Sequence, residues 1–418
     1  MRDGRYDAIV VGARCAGSPT AMLLARRGHR VLLVDRATFP SDTLSTHIVQ
    51  PPGVAALRRW GLLEDVVASG CPPIDTYAFD LGPVTAVGAP GTDDSPVAYA
   101  PRRTVLDTIL VAAAADAGAE VREGFTVSDL VAEEGRVTGI RGHDRGGATV
   151  TERATVVIGA DGLHSVVARA VRPERYHEKP RLLCLYYSYW SGLPMHGRFE
   201  AYLRENRAFA AWPTNDDSTL VVGGWPFAEL EANRRDIEAA YLAMFEMVPQ
   251  FADRIRAATR EERLVGTAVP NFLRTPFGPG WALVGDAGYA KDPITGHGIH
   301  DAFRDAELCA TALHQAFTGA RPFEDAMADY RSTRDEHVLP FYELTTEIAT
   351  LEPPPPDLQR LLGAARGNQD AMDGFARVNA GVTSPVEYFS DENVGRILAA
   401  AAPGTRSVAA REVELPRF

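Results

Sequence analysis

A short apolar run, Asp7-Ala8-Ile9-Val10-Val11, passes directly into Gly12-Ala13-Arg14-Cys15-Ala16-Gly17-Ser18, and this junction constrains the chain most. The run reads as a buried parallel strand, Pro19 to Arg27 as a helix, and Val31 to Val34 as a second strand closed by Asp35. A strand that turns through glycines into a helix and returns as a parallel strand is a βαβ unit. An acid about 20 residues on completes the pattern of a dinucleotide fold. The helix start offers free N–H groups and the positive end of its dipole, which suits a pyrophosphate. Asp35, followed by Arg36, suits ribose hydroxyls. Gly12, Ala16 and Gly17 are the turn positions nearest the phosphates. Arg14 replaces the usual middle glycine, so its side chain must point aside, either toward the phosphates or onto the surface.

Two later junctions repeat the theme. Val156 to Ile158 ends in Gly159-Ala160-Asp161-Gly162 before a short helix. Ala282 to Val284 ends in Gly285-Asp286, and a loop through Pro293 reaches Gly296-His297-Gly298, which opens another helix. A carboxylate at a strand end can accept hydrogen bonds from polyol hydroxyls. Glycines let backbone approach a flat ring, and a helix start favours negative charge on that ring's edge. These are the needs of a bound flavin, so Asp161, Gly162, Asp286, Pro293, Gly296, His297 and Gly298 are cofactor-binding candidates. Pro101 to Asp107 opens an alanine-rich helix from which Arg103 can reach the same cofactor.

Taken together, the three segments resemble the single-component FAD-dependent aromatic hydroxylases of the para-hydroxybenzoate hydroxylase type. That group shares a superfamily with geranylgeranyl reductases and flavin-dependent halogenases. The resemblance spans roughly residues 5 to 345. It implies an α/β fold, with a Rossmann-like FAD-binding domain interleaved with a β-sheet substrate domain. The FAD-binding domain would comprise residues 1–72, 100–172 and 270–350. The substrate sheet would use 73–99 and 173–269, with 351–418 as a helical C-terminal extension after Pro353 to Pro356. Tyr289 stands near the family's usual histidine and His300 in place of its asparagine, while Asp292-Pro293 is closer to the reductase and halogenase branches.

Composition sets outer bounds. A net charge of −12 gives no basic face for nucleic acid. No run of about 18 apolar residues suggests a membrane span. The first strand begins within six residues, leaving no room for a signal peptide. Four scattered cysteines form no metal-binding or redox pair. A cytoplasmic monomer or homodimer is the expectation.

The resemblance implies non-covalent FAD and NAD(P)H as transient electron donor, with molecular oxygen and an aromatic or polyketide-like small molecule as substrates. A flavin C4a-hydroperoxide would then oxygenate the substrate. Such a site must exclude water and manage a proton. The candidates for that work are His47, in the loop Ser45 to Val49, with Tyr289 and His297 at the third junction. Tyr187, Tyr189, Trp212 and Pro213 are the candidates for a substrate pocket. Strand alternation sends half of any aromatic run into core or solvent instead. The alternative function is reduction of isoprenoid double bonds, which Asp292-Pro293 and the Arg103…Asp107 pattern favour. A halogenase would need an active-site lysine, and none precedes Lys179.

Overall fold

The computed structural model describes residues 5–401 of the 418. Its first layer is a parallel sheet ordered Trp281–Leu283, Thr149–Gly159, Tyr6–Val11, Val31–Asp35 and Glu120–Glu123. The Tyr6–Val11 strand is buried on both faces, which is why it reads as an unbroken apolar run. Ala8 and Val10 enter one core, whereas Ile9 and Val11 enter another. Helices Gly17–Arg26, Arg103–Asp116 and Gly298–Phe317 contribute to the first of these cores. Thr126–Glu133 and Arg136–His143 add an antiparallel flap to the start of Thr149–Gly159.

The sheet's register explains why three separated motifs become one site. Val11 pairs with Gly159, and Gly159 pairs with Leu283, all in parallel. Gly12, Asp161 and Asp286 therefore emerge at the carboxyl ends of three adjacent strands, where open α/β sheets bind ligands.

The second layer is a mostly antiparallel sheet ordered Leu183–Ser191, Thr219–Pro226, Arg207–Pro213, Arg198–Arg204, Thr76–Asp80 and Thr85–Gly88. Arg207–Pro213 and Thr219–Pro226 form an antiparallel hairpin around the polar turn at 214–218. One face is closed by helices Ile237–Phe245 and Pro249–Arg256 through Trp225, Phe209 and Phe251. The other face carries Ala201, Ala208 and Ala210, whose small side chains leave space above the sheet.

Helices Pro356–Ala365, Gln369–Asn379 and Asp391–Ala400 roof that space. Gly88 lets the roof come down: a Cβ there would lie 2.5 Å from the Met372 carbonyl oxygen. Among the described residues no helix is long and apolar enough to cross a membrane.

Candidate active site

The first turn is as tight as the sequence requires. Gly12 has φ +102°, and a Cβ on it would lie 2.5 Å from the Ala160 carbonyl oxygen. A Cβ on Gly17 would lie 1.7 Å from the Gly12 oxygen. Ala16, at the start of the Gly17–Arg26 helix, supplies no side-chain cap, and no acid sits in the first turn. The helix start is thus free to receive an anion. Asp35 anchors the turn by accepting from the N–H groups of Ala13 and Ala37, both at 2.7 Å. Arg36 is exposed beside it.

Arg14 does point aside, and it has a partner. Its guanidinium lies 2.5 Å from one oxygen of Asp107, while Arg103 binds the other at 2.9 Å. Arg14 also donates to Ser41 at 3.1 and 3.2 Å. Asp107 is fully buried, so two guanidiniums neutralise one carboxylate in the interior. This clamp is an i,i+4 pair visible in the sequence, extended by Arg14 from far away. Cys15 sits against Asp107, and burial pushes its thiol up to about 12, so it is an inert small residue at pH 7.

Asp161 and Asp286 differ in their use. One oxygen of Asp161 caps the next helix by accepting from Val166 N–H at 2.6 Å, and the other is buried without a partner. Asp286 is encircled by protein yet has an accessible side chain, so it opens into a cleft. Encirclement raises its carboxyl to about 6, against the pull of Arg103. Gly298 is also accessible, and a Cβ on it would meet nothing within 4 Å. Next to Asp161, Gly162 has φ +75° and open space beside it. Free acceptors, uncapped helix starts and open backbone are what FAD needs, so the residues present fit the cofactor.

Beyond this cleft lies a largely apolar cavity with about 1600 Å³ of atom-free space, part of it open to solvent. Its inner end is made by Thr46, Ile48 and Gln50 from one loop and Pro293 to Gly296 from another. A Cβ on Gly296, where φ is +65°, would lie 2.6 Å from Ile48. Trp212 lines the wall, stacked on Phe199 at 5.3 Å, and its indole N–H donates to the Thr46 carbonyl. The Tyr77 hydroxyl donates to Gln50 Oε1 at 2.6 Å, and Gln50 Nε2 donates to the Thr295 carbonyl at 3.3 Å. Phe375 and Val378 close the roof. Gln50 and Tyr77 were not foreseen, because residues 27 apart give no local signal of meeting.

Several expected residues lie elsewhere. Tyr289 is buried, its hydroxyl accepting from Arg304 at 2.8 Å, and its ring packs with Leu273, Val338 and Tyr342. It is not on the cavity wall, so its catalytic assignment is corrected to a packing role. Tyr187 and Tyr189 share the sheet face of Leu185, which does line the cavity. The Ser45–His47 segment covers them: Ser45 N–H donates to the Tyr187 hydroxyl, and His47 Nε2 bonds the Tyr189 hydroxyl. Pro213 also stays outside the lining, at the strand's end.

The histidines turn away from the cavity as well. His47 has φ +61°, which aims Thr46 and Ile48 inward and buries its own ring between the tyrosines. Burial, with Arg103 and Arg102 nearby, holds it neutral, and its Nδ1 is buried without a partner. His297 faces the roof, where Nε2 lies 2.9 Å from the Asn379 carbonyl. A carbonyl only accepts, so Nε2 carries the proton and Nδ1 faces Lys291 at 3.5 Å. Its backbone, between Gly296 and Gly298, is the part that borders open space. Lys291 itself pairs with Asp301 at 2.8 Å. Asp292 fixes the same loop, its carboxylate accepting from Ile294 N–H at 3.1 Å, and burial raises it to about 7.

Comparison with known proteins agrees with this geometry. A family model described as FAD binding domain matches residues 5–340. The phenazine 1,6-dicarboxylic acid hydroxylase PhzS of Lysobacter antibioticus is 27% identical over 73% of this chain and 82% of its own length. Digeranylgeranylglycerophospholipid reductase 2 of Methanothermobacter thermautotrophicus is 30% identical over 76% of this chain and 80% of its own. The flavin-dependent brominase Bmp2 superposes with a TM-score of 0.78 at 18% identity, covering 95% of this chain and 98% of that one. With the turn, the cleft and the fold in place, the chain belongs to the FAD binding domain family and is an FAD-dependent oxidoreductase of the superfamily that holds aromatic hydroxylases, isoprenoid reductases and halogenases.

Proposed function

We propose that the chain is an NAD(P)H-driven monooxygenase that oxygenates an aromatic or polyketide-like small molecule held in the apolar cavity. The observation that carries this reading is the position of the cavity's inner end. The Thr46–Gln50 and Pro293–Gly296 loops that close it lead directly to the accessible helix start at Gly298. When bound, FAD supplies a two-electron carrier able to take electrons from NAD(P)H and to activate dioxygen.

Each part of the chain then has a task. The Gly12–Gly17 turn would hold the pyrophosphate, with Arg14 beside it, and Asp35 and Arg36 would meet the adenosine ribose. Asp286, Asp161, Gly162 and Arg103 would meet the ribityl portion, and the Pro293, Gly296, His297 and Gly298 backbone would border the ring. Phe199, Trp212 and Phe375 stack on a flat substrate and exclude water. Gln50, held by Tyr77, presents its amide at the inner end and orients a substrate oxygen. His47, held neutral against the Tyr189 hydroxyl, fixes the loop that places Thr46 and Ile48 on the cavity wall. In this reading the chain works in the cytoplasm as a monomer or homodimer.

The apolar lining also favours a second reading, reduction of an isoprenoid double bond, as the reductase relative's name describes for that protein. Among the described residues no lysine lines the cavity, which weighs against halogenation. The deciding experiment incubates FAD-loaded protein with NADPH, isotope-labelled dioxygen and a panel of polycyclic phenols and isoprenoid quinones. Labelled oxygen in a product supports the monooxygenase. A saturated, unlabelled product formed equally well without dioxygen supports the reductase instead.

A further inference from the structure

The charge pattern of the cavity narrows its ligand. Its lining is mostly aromatic and aliphatic, and the uncharged polar residues on it are Thr46, Gln50, Tyr77, Thr295, Thr350 and Asn379. Among the described residues that line it, none is lysine, arginine or histidine. The charged lining residues among those described, Glu347 and Glu352, lie where the lining reaches solvent, beside the exposed Pro353. Both glutamates are exposed, and among the described residues no ion pair joins either to an arginine or lysine.

The cation that acts on Glu347 is Lys179, and it is already engaged. Lys179 pairs with Glu343 and donates to Thr346 Oγ1 at 2.7 Å. Glu347 feels both Glu343 and Glu352 as well as Lys179, so in this group one lysine stands against three carboxylates. The mouth thus carries a net negative charge at neutral pH, in front of an apolar chamber that has nothing to offset an anion. A carboxylate entering would be repelled at the mouth and left unpaired inside. A molecule with an apolar body and a cationic outer end meets complementary surroundings along its whole length.

Resting on the reading of this cavity as the substrate site, we infer that the substrate is a flat, apolar molecule without a carboxylate, bearing a basic nitrogen at its outer end. The body stacks among Tyr77, Phe199, Trp212 and Phe375. An oxygen at the inner end meets Gln50, and the ammonium lies between Glu347 and Glu352.

The test titrates FAD-loaded protein with three matched probes: 2-(2-naphthyl)ethylamine, 2-(2-naphthyl)ethanol and 3-(2-naphthyl)propionate. Binding is read from the perturbed flavin spectrum and the thermal midpoint. The amine should bind roughly tenfold more tightly than the alcohol, as expected for two half-screened carboxylates, and the propionate most weakly. Added salt should erode the amine's advantage. In the Glu347→Gln, Glu352→Gln double variant, amine and alcohol should bind alike while the alcohol's own affinity is unchanged. A propionate that binds as well as the amine overturns the inference while leaving the cavity reading intact, as does an amine preference that survives the double variant. If no probe perturbs the flavin or the midpoint, the cavity reading falls and this inference with it.

Discussion

The cofactor cleft and the substrate cavity are adjacent but are built on opposite terms. The cleft is set by backbone that cannot take another atom and by charges that must be paired. At Gly12 and Gly17 a methyl group would strike main-chain oxygen, and Asp107 is buried between two guanidiniums. The cavity is set by omission: alanines at 201, 208 and 210 leave a hollow, and its wall is held by stacking rings. Rigid recognition of one invariant cofactor thus sits beside a chamber whose shape a few side chains can change.

The largest break in that contrast is Gly12→Val. The new side chain meets Ala160 backbone at a φ of +102°, so we expect no FAD-loaded, folded protein to be recoverable. Asp107→Ala comes next. Removing the shared carboxylate strands Arg14 and Arg103, and thermal unfolding should report a loss of about 3–5 kcal/mol.

Asp292 sharpens the comparison through pH. Its folded carboxyl titrates at about 7, above its ordinary 3.8, so the folded state prefers the protonated form. Its contribution to stability is full below the ordinary value and lost as pH rises through about 7. Asp292→Asn cannot titrate. Its stability relative to the parent should therefore climb between pH 5 and pH 8, by at most about 3 kcal/mol. A flat difference across that range would refute the assignment.

Asp286→Ala should weaken FAD binding by roughly tenfold or more, the worth of a charge-assisted hydrogen bond, without lowering the melting point of the cofactor-free protein. No hydrogen bond to protein ties that side chain down among those described. The smallest effect should come from the cavity. Ala210→Leu adds three carbons where space exists, so stability should move by less than about 1 kcal/mol while FAD stays bound. Turnover of any bulky substrate should nevertheless fall, because those carbons occupy its place.

This contrast also explains what the sequence reveals. The cleft is legible because its rules are local: a strand end, a glycine, an acid and a helix start must follow one another within a few residues. Even Arg14 could be placed aside from geometry, although its partner Asp107 lies 93 residues away. The cavity obeys no such rule. Tyr187, Tyr189 and Trp212 are equally aromatic and on the same face, yet only Trp212 reaches the hollow, because the His47 loop covers the other two. Gln50 meets Tyr77, and Phe375 arrives from the far end of the chain, through folding alone. Tyr289 misled for a related reason: a position near the motif in sequence turned into core beside Arg304.

The most direct test of the central claim is the visible spectrum of the purified, full-length chain under anaerobic conditions, before and after NADPH. An oxidised-flavin spectrum that bleaches on addition and returns when air is admitted is the expected result. A chain that shows no flavin even after FAD is supplied, or a bound flavin that NADPH leaves oxidised with and without the naphthyl probes, would contradict it.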